Sequence, residues 1–258
     1  KLCFLFLAFG ILVPATGFST VDWVPTYNDN PVSADHLKEL EEPLPDEAAY
    51  PAKTDRRILV FSATQGFRHK SIPLGKVALQ RLGEKTGAYS TVVSDDPANF
   101  EADVLRTFDA VVLLSPTRDF FMPNNKQKNK FSEKEWQWLK NRHDRLVDNL
   151  IEYVRNGGGL MGIHAATDSC YDHHDYGQTI GGYFAGHPWN AGTNVTILVK
   201  EPDHPAIKPV FDGIDDFKLV EEIYKYRAEP DPYENNRILL ALDVDRSDPV
   251  KGIPDDLK

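Results

Sequence analysis

Three short apolar runs constrain this chain more than any other feature. Ile58 to Ala63 (ILVFSA), Asp109 to Ser115 (DAVVLLS) and Leu160 to His164 (LMGIH) lack polar alternation, so a strand built from any of them needs cover on both faces. Tyr89 to Val93 reads as a further strand. Helical spacing fills the gaps. Pro73 opens one stretch, with Leu74, Val77, Ala78, Leu79 and Leu82 on its apolar face. A longer one carries Trp136, Leu139, Leu146, Leu150 and Val154, with a break expected near Asn141, and Gly157-Gly158-Gly159 stops it. Strand and helix in alternation imply right-handed βαβ units and a doubly wound, mostly parallel α/β sheet. Asn194 to Val199, Phe217 to Tyr226 and Arg237 to Val244 read as later strands. A chain of 258 residues with 41% hydrophobic content can bury such a core.

The ends differ from this middle. Lys1 precedes an apolar run from Leu2 to Val13, and Pro14-Ala15-Thr16-Gly17 follows, the pattern of a secretory signal peptide over residues 1–18. The run is shorter than the roughly 20 residues of a membrane span. Export to the periplasm or the extracellular space, without a stable span after cleavage, is the expectation. Cleavage removes Cys3 and leaves Cys170 alone, so no intramolecular disulfide is expected. Residues 19–56 read as an acidic arm or linker in which Pro25, Pro31, Pro43, Pro45 and Pro51 interrupt regular structure. Trp23 and Tyr27 are candidates to pin it to the domain, which is expected over residues 57–250.

A formal net charge of −10 argues against a nucleic-acid partner, which calls for a basic patch. No Walker-type phosphate loop occurs. The glycines at 157–159 precede a strand, whereas a dinucleotide fingerprint follows one.

Gly162-Ile163-His164-Ala165-Ala166 carries the most chemistry. Small residues two positions either side of His164 let the chain turn tightly after a buried strand and expose one side chain at the carboxyl edge of the sheet. Ligands of open α/β sheets bind at that edge. The exposed group is an imidazole, which titrates near neutrality and can move protons or hold a metal. His69 lies in the loop after the first strand. His187 and His204 each precede a proline and so sit in extended or turn backbone. Glu222 falls in an apolar strand pattern, where a carboxylate needs a partner or a purpose; Glu221 is expected on the opposite, solvated face. Asp168 either caps the segment after the turn or orients an imidazole. His173 and His174 read as a solvated loop, with rim ligands as the alternative, and His36 and His143 receive no role.

Two stretches make the sequence resemble a known family. Gly66-Phe67-Arg68-His69-Lys70-Ser71-Ile72-Pro73 is one, and Gly157-Gly158-Gly159-Leu160-Met161-Gly162-Ile163-His164-Ala165-Ala166-Thr167-Asp168 is the other. Gly182-Tyr183-Phe184 with His187-Pro188, Asp203-His204-Pro205 and Glu221-Glu222-Ile223-Tyr224 continue the likeness in order. The chain resembles the ThuA-like (trehalose utilisation) family from roughly Arg57 to Asp245. The resemblance implies a flavodoxin-like sheet related to class I glutamine amidotransferases, and a link to trehalose and other disaccharides through 3-keto sugars.

Amidotransferases place a cysteine nucleophile at the turn. Here His164 stands there and Cys170 lies six residues on, so glutamine hydrolysis is not expected. Two classes remain. One is an exported enzyme of sugar metabolism, of hydrolase, lyase or isomerase type, with His164, His69, Glu222 and His187 as the catalytic set. Arg68, Asp168, His204 and Tyr183 are its substrate-binding candidates. The other is a non-catalytic carbohydrate-binding or accessory protein that retains the pocket. Tyr183, Phe184 and Trp189 suit sugar stacking in either. The one cofactor candidate is a divalent metal such as zinc on His164, His187 and His69. Expected partners are a small-molecule sugar or keto-sugar, with room for a homo-oligomer.

Overall fold

The computed structural model describes residues 21–231 and 233–250. The expected signal peptide lies outside them. Among the described residues no helix is long and apolar enough to cross a membrane.

In chain order the elements are α1 (Ala34–Glu41), β1 (Arg57–Phe61), α2 (Ile72–Thr86), β2 (Ser90–Val93), α3 (Ala102–Leu105), β3 (Ala110–Leu114), α4 (Glu133–Arg155), β4 (Gly159–Ile163), α5 (His174–Ile180), β5 (Asn194–Val199), α6 (Lys208–Phe211), β6 (Asp216–Val220) and β7 (Leu240–Asp243). The first four strands form one parallel sheet in the order β2-β1-β3-β4. The order reverses between β1 and β3, as in flavodoxin-like folds, and that reversal marks where ligands bind. The last three strands form a separate antiparallel sheet in the order β6-β5-β7.

The apolar runs explain the central sheet. Leu59, Phe61, Val111 and Leu113 face one core, where α4 supplies Leu146, Val147, Leu150 and Ile151. Ile58, Val60, Val112 and Leu114 face the other, against Ile72 and Leu79 of α2 and Tyr89. Alternate residues of β1 and β3 therefore serve opposite layers, whereas β4, at the sheet edge, is not covered on both faces as expected and leaves Met161 53% exposed. Phe61 is the hub of the larger core, with Phe100, Phe120 and Phe121 rings at 4.8, 5.6 and 5.5 Å. The antiparallel sheet buries its own cluster around Trp189, Val195 and Ile197.

Three expectations need correction. Helix α4 is unbroken at Asn141. Asn is only a weak helix former, whereas the face formed by Leu139, His143 and Leu146 is buried and Ser132 with Glu135 closes a capping box at the start. The strand expected over 217–226 ends at Val220, and the residues beyond follow a different course described below. The arm is not wholly irregular, because Pro31 and Pro43 bracket a proline-free stretch that forms α1, capped by Ser33. The pins are those expected. Trp23 packs near Met122, Trp136 and Leu139. The Tyr27 hydroxyl donates to the Thr64 carbonyl at 3.1 Å and accepts from its N–H at 2.6 Å.

Candidate active site

His164 sits where β4 ends, at φ +49°, a left-handed conformation that is uncommon for a residue with a Cβ. The small neighbours account for the turn. A Cβ on Gly162 would stand 2.6 Å from Ile180 Cδ1 and 3.1 Å from Ala166 Cβ, so only glycine lets α5 and the turn approach. Ala165 and Ala166 are buried beneath. The chain thus folds under itself and lifts the imidazole, whose side chain is 31% exposed, at the carboxyl edge.

His69 reaches it from the loop after β1, the two rings lying 4.5 Å apart at 75°. Their strands are not neighbours, since β3 runs between them, so the loop after β1 crosses over β3. Phe67 packs edge-on against His69 at 4.8 Å.

The other members arrive together. Residues 183–189 and 222–227 run antiparallel: Ile223 N–H donates to Trp189 O, Lys225 N–H to Gly186 O and Arg227 N–H to Tyr183 O, at 2.7 to 3.0 Å. This pairing delivers Glu222 and Tyr224, two residues apart and on one side, to the imidazole. His164 Nε2 lies 3.0 Å from the Tyr224 hydroxyl and 3.5 Å from Glu222 Oε1. Glu222 Oε2 is 3.8 Å from His187 Nδ1, which has a nearer partner in Asn190 Oδ1 at 2.9 Å. The Phe184 ring packs against Tyr224 at 4.3 Å and stacks on His187 at 5.9 Å. Beside the group an open cleft of about 1310 Å³ runs to the antiparallel sheet; His164, Thr167, Glu222 and Tyr224 line it, while His69 and His187 do not.

Asp168 supports the corner without touching an imidazole. Its Oδ1 accepts from the Tyr171 hydroxyl at 2.6 Å and lies 3.8 Å from Arg118 Nη1. Glu221 is exposed, as expected, and accepts the Glu222 N–H at 2.8 Å, but it also acts electrostatically on His164.

Three substrate-binding candidates and one aromatic stand elsewhere. Arg68 is committed to the arm: Nε donates to Asp29 at 2.6 Å, Nη2 pairs with the same carboxylate, Nη1 donates to Ser62 O, and the guanidinium lies over Tyr27. His204 opens the turn into α6, its Nδ1 accepting the Ala206 N–H at 3.2 Å. Tyr183 is buried, and its hydroxyl donates to the carbonyls of Cys170 and His173. Trp189 is anchored in the core of the antiparallel sheet, with only an edge lining the cleft, while Phe184 packs beside His187 and Tyr224.

Burial is the main cause holding both His69 and His164 below the ordinary histidine pKa of 6.5, with Asp168 opposing it in each case. Burial, then the charge of Glu222, raises the Tyr224 phenol, so it stays protonated and donates to a neutral imidazole. A lowered pKa keeps the basic imidazole available throughout pH values above 6.5, and protonation removes it only further down. A pH–rate profile is therefore expected to be flat near neutrality, with its acid limb below 6.5. An acid limb centred above that value would contradict the burial of His164.

Cys170 is fully buried, and burial raises its thiol well above the usual range. Cys170→Ala should leave turnover within about twofold of the parent, because nothing reactive is removed. Alkylation of the native protein should be slow. A loss of orders of magnitude in a folded variant would restore the thiol as nucleophile.

The set named for a divalent metal, His164, His187 and His69, does not converge closely enough to form such a group. Among the described residues, the group whose His, Cys, Asp or Glu donors lie within 4.8 Å of one another is His143, Asp144 and His173, away from this cluster. What His164, Tyr224 and Glu222 can do as placed is proton transfer: a neutral base, a phenolic donor and a carboxylate that stabilises the imidazolium.

Comparison with known proteins bears on the fold and the family. A crystal structure from Bacteroides uniformis described as ThuA-like shares the fold, with a TM-score of 0.53 at 19% identity over 76% of this chain and 72% of that one. No curated protein matches. The ThuA family, described as trehalose utilisation, matches residues 57–255, which contain the turn at His164 and every residue gathered around it. The chain belongs to the ThuA family of trehalose utilisation.

Proposed function

We propose that this chain is an exported enzyme acting on the 3-keto form of a disaccharide, and that its chemistry is proton transfer beside the sugar carbonyl. Family membership supports the link to carbohydrate metabolism. The observation that carries the reaction type is the contact of His164 Nε2 with both the Tyr224 hydroxyl, at 3.0 Å, and Glu222, at 3.5 Å. Neutral His164 takes the proton from the carbon next to the carbonyl, and the C–H electron pair moves into the carbonyl group. Tyr224 turns its hydroxyl from the imidazole to the developing oxyanion. Glu222 stabilises the imidazolium, which returns the proton to carbon of the enediolate, or to the oxygen released when the enolate re-forms the carbonyl, makes a C=C bond and breaks the C–O bond β to it. The cleft exceeds the usual 300–1,000 Å³ of small-molecule pockets, room enough for two sugar rings. Tyr224 and Tyr226 offer aromatic walls.

The test is incubation of the purified chain with 3-keto-trehalose in deuterated water, with and without chelator. Deuterium entering beside the carbonyl, or turnover to new products, is the expected result. Binding without exchange or turnover would replace the enzyme with a carbohydrate-binding accessory protein.

A further inference from the structure

His143 stands in the middle of α4 with 2% of its surface exposed, and neither ring nitrogen has a hydrogen-bond partner among the described residues. A buried imidazole normally has at least one partner. Its surroundings are rich in donors to a cation. Nε2 lies 3.6 Å from Asp119 Oδ1, just beyond hydrogen-bond length. The ring meets that of His173 edge-on at 5.3 Å, and His173 Nε2 is 3.3 Å from Asp144 Oδ1. One donor atom each from His143, Asp144 and His173 lies within 4.8 Å of the others.

We propose that His143, His173 and Asp144 bind a divalent transition-metal cation of the zinc class. Ligands held about 2.0–2.2 Å from a tetrahedral zinc stand roughly 3.3–3.6 Å from one another; the Asp144–His173 separation already matches, and His143 offers a donor within 4.8 Å of both. Two imidazoles and a carboxylate suit zinc or its neighbours better than calcium or magnesium, which take oxygen donors.

The ligands come from α4 and from the N-cap of α5, and a cation here clamps the two together. The cation is structural and independent of the chemistry proposed for His164.

Equilibrium dialysis of the chelator-stripped full chain against zinc chloride tests this. About one equivalent should bind, with a raised melting temperature. His143 is part of the core, so the more accessible ligands carry the comparison. His173→Ala and Asp144→Asn should each weaken binding by ~100-fold or more while circular dichroism stays native, and His164→Ala should bind as the parent does. The proposal is overturned if the parent binds no zinc, or if His173→Ala and Asp144→Asn bind it unchanged. It is equally overturned if binding is lost in His164→Ala instead, which would move the metal to the pocket.

Discussion

Replacing His164 with alanine is expected to lower turnover of a keto-sugar by ~10²–10⁴-fold, the usual contribution of a positioned acid or base. The imidazole is the one group in contact with Tyr224, Glu222 and His69 together, so its removal leaves a phenol and a carboxylate with no base between them. The fold should survive, since the ring lies at the edge of the cleft and not in either core. A second variant separates chemistry from strain. A left-handed backbone costs an L-residue ~1–2 kcal/mol, and the extra chain entropy of glycine returns roughly 0.5–1 kcal/mol of that. His164→Gly should therefore melt within a few degrees of the parent while remaining as inactive as His164→Ala. Steady-state rates and thermal unfolding of the three proteins decide the matter. Activity within threefold of the parent in either variant would remove His164 from the chemistry.

What the sequence made legible is what short-range pattern encodes. Unbroken apolar runs specify strands covered on two sides; β1 and β3 are so covered, whereas β4 forms as a strand but turns Met161 to solvent. A small residue two positions to each side of His164 specifies a tight turn, and the φ of +49° is its realisation. Glu222 was legible as a carboxylate out of place. Tyr224 was missed, although it follows Glu222 by two positions in extended backbone and so shares its side; that spacing was the available signal. The rest depended on chain separation. Arg68 resembles a pocket residue until the arm brings Asp29 to it from 39 positions away. Tyr183 and Trp189 have the rings that sugars stack on, but those rings were consumed by cores that no local pattern reveals. His143 lies within α4 and His173, thirty residues on, is the N-cap of α5, so only the packing of α5 against α4 makes them neighbours. The crossing of the His69 loop over β3 was hidden for the same reason: strand order is not written in any one strand.

The turn itself can be tested by filling it. Gly162→Val places a Cβ 2.6 Å from Ile180 Cδ1 and 3.1 Å from Ala166 Cβ, with two further methyl groups to accommodate. These neighbours differ in what they can concede. The tip of Ile180 can rotate away, but the Ala166 Cβ is fixed to the short helical turn from His164 to Thr167 that aims the imidazole. The valine should thus move the turn. Overpacking of this kind costs ~1–3 kcal/mol of stability. The rate should fall further, by ~10²-fold, because a displacement near 1 Å at a reacting group is that expensive. Adding Ile180→Ala removes the concession that is easy to make and leaves the other. The double variant should regain much of the melting temperature and little of the activity. Circular dichroism, thermal unfolding and initial rates across the four proteins of the cycle measure both terms. Full recovery of rate with Ile180→Ala would place the constraint in α5 and not in the turn. A fully active Gly162→Val single variant would show that the close approach under His164 does not aim it.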